Sequence, residues 1–415
     1  MKTKLWEFFL LNMTFIVMFF SYKFMIAPQF SYMGFKNNLN TTDLIMVYFL
    51  YNLLCLFLIT LKTGFEKFVS LLLLIMVSIP NFILYSFQDF DERIVIWSFL
   101  CIPITVFILI YLPKIKTKKI REKNIPIILW SLIIICIIPV ILSHGIKLNF
   151  QAFLFTDIYD IRRESRLNNS FLSVYGYFWL AKVICPISII YAIEKGYKGL
   201  LISALVVLMY LFTTTGHKSV FLSVFIIFLL YFGGNNYNTK YKMVLLLSLL
   251  LFITIRLMSE LFGFIGLESA FIRRLIFIPA LLNNYYFEFF NSNFVYYSQS
   301  YLSLFLDYPY NKPIPQIIGI NFFNSDEMSA NNGYLSDGFA NLGNSGVLIN
   351  IILSSMLIKA FKDYSIQAKY SGLLFVTLYS IFGSAFSTVL FTHGGLLLAI
   401  LLATIFSPKN SNENT

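Results

Sequence analysis

Lys114-Ile-Lys-Thr-Lys-Lys-Ile-Arg-Glu-Lys123 is followed, after one asparagine, by Ile125-Pro-Ile-Ile-Leu-Trp-Ser-Leu-Ile-Ile-Ile-Cys-Ile-Ile-Pro-Val-Ile-Leu-Ser143. The second stretch carries no charge and as a helix spans about 28 Å, close to the ~30 Å of hydrocarbon in a bilayer. The first is the densest run of Lys and Arg in the chain, and basic residues flanking an apolar span mark its cytoplasmic end. One junction thus implies both a membrane helix and its direction. Further apolar runs lie near 5–22, 42–61, 67–87, 94–112, 171–193, 197–214, 218–233, 243–260, 336–358, 370–388 and 391–407. With 125–143 they make twelve.

The composition agrees. Of the 415 residues 58% are hydrophobic and 12% charged, and the mean hydropathy is +0.76, whereas soluble domains are about 45–50% apolar and about 25% charged. The expected fold class is all-α: a polytopic integral membrane protein of about 12 transmembrane helices, one transmembrane domain over 1–415, with a disordered cytoplasmic tail at 408–415. Met1-Lys-Thr-Lys4 runs into an apolar stretch without a small-x-small cleavage site, so the first span is expected to be uncleaved. With both termini cytoplasmic, lysine gathers inside, while seven of the eight arginines, all but Arg121, fall outside. The net charge of +11 is therefore spread over short loops, which excludes a nucleic-acid-binding patch. Cys55, Cys101, Cys136 and Cys185 lie within spans and read as core residues, and the three histidines have no metal-binding spacing.

Two exterior segments exceed a turn, 143–170 and 261–335, and long structured loops are where function concentrates. The first holds Asp157-Ile-Tyr-Asp160-Ile-Arg162-Arg163-Glu164-Ser-Arg166. On a helix Arg162 and Arg166 share a face, where two guanidinium groups repel unless an anion lies between them. Phosphate or pyrophosphate suits that fork; the alternative is a solvated helix balanced by Asp160 and Glu164. Thr213-Thr-Thr-Gly-His217-Lys218-Ser219 places an acid–base group beside a fixed charge at the exterior end of two spans, or is a polar turn with a snorkelling lysine. Arg256 and Glu260, four apart, read as an ion pair. The second loop opens with Glu268-Ser-Ala-Phe-Ile-Arg273-Arg274 and continues to Tyr285-Tyr286. It reads either as a lipid-phosphate clamp beside sugar-stacking rings or as an interfacial anchor, with 275–282 lying along the membrane surface. Asp89-x-Asp91-Glu92 has the form of a metal-binding Asp-x-Asp and also of an ordinary acidic turn.

In Tyr159-Asp160-Ile-Arg162-Arg163-Glu164, Thr215-Gly-His217-Lys218-Ser219, Arg273-Arg274 through Tyr285-Tyr286-Phe287, and Asp337-Gly-Phe-Ala-Asn341-Leu-Gly343-Asn-Ser-Gly346 at the start of the tenth span, the chain resembles the O-antigen and capsular oligosaccharide repeat unit polymerases of the Wzy type. The likeness covers most of the chain and is one of layout. It implies a GT-C-like fold with periplasmic loops 143–170 and 261–335 in a bacterial cell inner membrane. It also implies a metal-independent glycosyltransferase that needs no cofactor and joins undecaprenyl-pyrophosphate-linked oligosaccharides into polysaccharide, with membrane lipids and a chain-length regulator protein as partners. The catalytic candidates are then His217, Glu164, Asp160 and Asp337; Arg162, Arg163, Arg166, Lys218, Arg273 and Arg274 would bind pyrophosphate, and Tyr285 and Tyr286 would stack on sugars. With no ATP outside, the donor's own glycosyl-pyrophosphate bond must supply the energy, so a stabiliser of the leaving group and a base are required. Two alternatives remain: a ligase, which shares these features and differs in acceptor, and a lipid-linked oligosaccharide flippase, which would place charges through the spans.

Overall fold

The computed structural model describes residues 2–114, 117, 119–146, 163, 165, 167–364 and 366–406, and only the backbone of Lys2, Lys218 and Ser219. Among the described residues every regular element is helical and there is no strand. Among the described residues nine helices have the length and apolar composition to cross a membrane: Thr3–Gln29, Thr41–Thr60, Gly64–Phe87, Glu92–Tyr111, Glu122–His144, Phe171–Lys195, Lys198–Thr215, Tyr237–Phe262 and Tyr334–Asp363. The chain is a polytopic, all-α membrane protein. The other three apolar runs form shorter pieces: Lys218–Phe232, Ser371–Gly383 with Phe386–Leu390, and Gly395–Ile405. At 1.5 Å per residue an 11-residue helix is about 17 Å long, well short of ~30 Å.

Two compact units divide the chain. The first comprises Met1–Leu112, Tyr237–Met356 and Ile381–Phe386, the second Pro113–Asn236, Leu357–Ser380 and Ser387–Thr415. In the first unit Gly64–Phe87 is central: 94% of its apolar window is buried, against 28% for Tyr237–Phe262. Helix Tyr237–Phe262 packs on Gly64–Leu73 and on Lys2–Ser21, and Thr41–Thr60 packs on Ile79–Phe87. In the second unit Ile125–His144 packs on Phe171–Trp179, and Cys185–Lys195 on Lys198–Thr215.

Four helices widen locally into π turns, at Tyr22–Ile26, Leu74–Ser78, Leu180–Ile184 and Glu268–Phe277, and each is followed two residues later by a proline: Pro28, Pro80, Pro186 and Pro279. Proline has no N–H to donate, and its ring collides with the carbonyl four residues back. Those carbonyls belong to Phe24, Met76, Lys182 and Leu275, all inside the π turns. An inserted residue moves the carbonyl away and the helix continues, as π bulges do. Pro103 and Pro139 sit in helices without one.

Tyr334–Asp363 is two helices joined at Leu342 (φ −140°) and Gly343 (φ 58°, ψ −141°), a conformation open to glycine. The chain reverses so tightly that a Cβ on Gly338 would lie 2.5 Å from the Gly346 carbonyl oxygen. Both positions therefore require glycine.

Candidate functional site

The first unit contains a buried arginine with no acidic partner among the described residues. Arg273 lies in the π segment Glu268–Phe277, 6% exposed. Its guanidinium lies over the Phe30 ring at 4.1 Å, donates from Nη2 to Ser269 Oγ at 2.6 Å and reaches Met33 Sδ from Nη1 at 2.7 Å. Nε has no hydrogen-bond partner, and no carboxylate pairs with Arg273 among the described residues. Burial lowers its pKa, with the nearby Tyr32 acting in the opposite sense; a guanidinium stays charged regardless. Arg274 is exposed, so these neighbours face different surroundings. Tyr285 converges on the same loop, its hydroxyl 3.5 Å from the Met33 carbonyl and its half-buried ring stacked on Phe322 at 4.3 Å.

Glu268 begins the same π segment and is fully buried. It accepts a hydrogen bond from Ser259 at 3.0 Å on Oε2, while Oε1 has no hydrogen-bond partner. Burial pushes its carboxyl up to about 7, against the lowering effects of Ser259 and of Arg256. Arg256 in turn pairs with Glu260 at 2.5 Å. A carboxyl that titrates near neutrality is suited to acid–base work. In sequence Glu268 is a lone acid between Leu267 and Ser269, and no spacing motif singles it out.

A second cluster surrounds Asp337. Its Oδ1 accepts from Asn341 Nδ2 at 3.2 Å, and its Oδ2 from Asn350 Nδ2 at 3.1 Å and from the Phe386 N–H at 3.0 Å. The Tyr297 hydroxyl donates to Asn350 Oδ1 at 3.1 Å, and its N–H to Asn341 Oδ1 at 2.7 Å. Burial and the Asp337 charge push the Tyr301 hydroxyl up to about 12 and raise Tyr297 and Tyr286 as well. Arg93 adjoins this cluster, stacked over Phe339 at 4.8 Å and donating to Asn291 at 2.8 Å. It also grips Asp91, the cap of its own helix. Burial works against ionisation of Asp91, but these hydrogen bonds hold its carboxyl below the usual range. Asp91, the second acid of Asp-x-Asp, is thus engaged by an arginine. Amides supply most of the remaining polarity: Asn332 Nδ2 donates to Asn283 Oδ1 at 2.9 Å, and Asn283 Nδ2 to Asn81 Oδ1 at 3.2 Å.

The expected site residues therefore separate. Arg273 and Tyr285 come together at Met33, and Tyr286 lies within the influence of Asp337. Tyr286 itself is enclosed, 3% exposed, with its hydroxyl on the Ala330 carbonyl at 2.9 Å. In the second unit His217 is half-buried, its ring 5.8 Å from that of Tyr177, and Arg163 is helical and exposed. Asp160, Arg162, Glu164, Arg166, the Lys218 side chain and the tail 408–415 lie outside the described residues. Comparison with protein-family models, curated proteins and solved structures finds no match.

Proposed function

We propose that the chain is a membrane glycosyltransferase that joins lipid-pyrophosphate-linked oligosaccharide repeat units into a polysaccharide. In this reading it crosses a bacterial inner membrane twelve times, with its termini in the cytoplasm, and works at the periplasmic face through loops 143–170 and 261–335. The observation that carries it is Arg273. A buried guanidinium with a free Nε and no carboxylate partner among the described residues is costly unless an anion completes it, and a departing pyrophosphate is such an anion. Arg273 would bind the phosphate oxygens as charge develops on them. A base must take the proton of the acceptor hydroxyl as the new glycosidic bond forms. Glu268 joins Asp160, Glu164, His217 and Asp337 as a candidate, because its burial tunes it for neutral pH.

Deleting the protein and resolving the surface glycan on a gel tests the reading. A single repeat unit on the acceptor supports it. Long chains stranded on the lipid carrier replace it with a ligase, and intermediates trapped at the cytoplasmic face replace it with a flippase.

A further inference from the structure

The second unit gathers basic side chains at one end. Lys119 Nζ lies 3.3 Å from Glu122 Oε1 and Lys195 Nζ 3.9 Å from Glu122 Oε2, so the loop before helix Ile125–His144 meets the end of helix Cys185–Lys195. Arg121 and Lys123 flank the shared carboxylate in sequence, and Lys198 follows Lys195 across the turn at Gly196. Two hydrogen bonds hold the loop on the last helix: Thr117 Oγ1 donates to the Ala403 carbonyl at 2.7 Å, and the Ile120 N–H to the Thr404 carbonyl at 2.8 Å.

The charges here do not balance. Arg121, Lys123 and Lys198 are exposed and form no ion pair among the described residues. Glu194, the neighbouring acid, accepts the Tyr370 hydroxyl at 2.8 Å. Five cations against Glu122 and Glu194 leave positive charge in excess, and a bound anion would relieve it.

Away from this cluster the helix surfaces turn apolar. Ile127, Trp130 and Ile134 are exposed on helix Ile125–His144, and Ile202 and Val206 on helix Lys198–Thr215. Spacings of three and four place each set on one face of its helix. The two helices pack together, and a Cβ on Gly199 would lie 3.9 Å from Trp130 Cζ2, so the two faces adjoin. Trp130 stands about 7.5 Å along its helix from Ile125. Tyr197 is exposed beside the basic turn, its ring stacked on Tyr191 at 6.1 Å. Such amphipathic rings favour the boundary between water and hydrocarbon.

Cations, then aromatic rings, then an apolar wall follow one another along the same two helices. That is the order of phosphate, ester and acyl chain in a phospholipid, and basic pockets between membrane helices bind acidic head groups. A soluble anion would use the first of the three layers alone.

We propose that Lys119, Arg121, Lys123, Lys195 and Lys198 bind the headgroup phosphate of an acidic phospholipid whose chains lie along the faces of Ile127 and Ile202. The site involves neither Arg273 nor the proposed glycan chemistry, and each can fail without the other.

The test uses the full chain in a neutral detergent with radiolabelled dioleoyl phosphatidylglycerol and dioleoyl phosphatidylcholine, which share their chains and differ in net charge, and with inorganic phosphate as competitor. Phosphatidylglycerol is expected to be retained at least about 10-fold more tightly, and about 0.5 M NaCl to abolish the difference by screening exposed charges. Lys123→Gln combined with Lys198→Gln is expected to weaken phosphatidylglycerol about 25-fold, at about fivefold per charge, and to leave phosphatidylcholine unchanged. Both side chains are exposed, so the fold is expected to hold. Lys36→Gln combined with Lys312→Gln, at exposed sites of the first unit, is the control and is expected to change neither lipid. Phosphatidylglycerol brominated in its chains is expected to quench tryptophan emission more in the wild type than in Trp130→Phe. Equal retention of the two lipids overturns the proposal, as does displacement of phosphatidylglycerol by an equal concentration of inorganic phosphate. So does phosphatidylglycerol binding that is unchanged in the 123/198 pair or equally weakened in the control pair, or quenching that is the same with and without Trp130.

Discussion

Asn350 Nδ2 donates to Asp337 Oδ2 at 3.1 Å across the helix break at Leu342-Gly343, while Asn350 Oδ1 receives the Tyr297 hydroxyl. The carboxylate thereby links the two arms of the broken helix, and through the Phe386 N–H it also holds the 381–386 segment. Asp337→Ala would take one acceptor from each of two buried amides, which keep the Asp337 and Tyr334 carbonyls, and would leave the Phe386 N–H without its acceptor. Its expected cost is about 2–5 kcal/mol, read as a lowered Tm of the detergent-solubilised protein. A Tm unchanged from wild type would show that Asp337 is not the link.

Asp337 also shows what its sequence neighbourhood conveys and what it hides. The glycines of Asp337-Gly-Phe-Ala-Asn341-Leu-Gly343-Asn-Ser-Gly346 fall in what reads as one unbroken apolar span, 336–358, and the structure instead breaks the helix there. Asn350, Asn283 and Asn332 carry no motif, because a neutral amide acquires its partners only through tertiary packing. The nine long spans were legible since length and apolarity suffice to define a crossing. The last two runs were less so. Uniform hydropathy from 370 to 407 masks the breaks, and only Gly383 and Gly394 hint at them. The π turns have a cue in Pro28, Pro80, Pro186 and Pro279, but the cue does not reveal that Arg273 is buried and Arg274 exposed.

The proposed orientation predicts a labelling pattern. Cysteines at the exposed positions Asn169 and Asp326 are expected to react with an impermeant thiol reagent in intact spheroplasts, and one at the exposed Asn124 to be protected until the membrane is opened. The four native cysteines are buried and give little background. Labelling at Asn124 alone in intact cells would reverse the orientation and remove the periplasmic mechanism.

Adjacent arginines provide an internal control for the anion site. Arg273→Ala is expected to lower polymerisation by about 10²–10³, the loss seen when one preorganised donor to a developing anion is removed. Lysine at 273 restores only part, because a point charge lacks the planar fork. Arg274→Ala, at an exposed site, is expected to cost far less. Chain length and initial rate with purified lipid-linked repeat units check all three. Equal effects at 273 and 274 would make both residues general interfacial anchors.

Glu268 predicts a pH dependence with a definite sign. Its carboxyl is raised from 4.5 to about 7 in the folded chain by burial, with Ser259 and Arg256 opposing. Between those values the folded state holds a proton that the unfolded state has released, so stability falls as pH rises. The contribution is fully present below about pH 4.5 and lost through about pH 7. A difference of this size corresponds to on the order of 3 kcal/mol. Glu268→Gln keeps an oxygen for Ser259 and cannot ionise, so the gap in Tm between variant and wild type is expected to widen from pH 5 to pH 8 in the variant's favour. Activity has the opposite requirement if Glu268 is the base: the wild-type rate then rises with a midpoint near pH 7, and the glutamine variant loses both rate and midpoint. A variant that gains stability at pH 8 but retains the wild-type rate profile would assign Glu268 to packing beneath Ser259 and return the acid–base role to the remaining candidates.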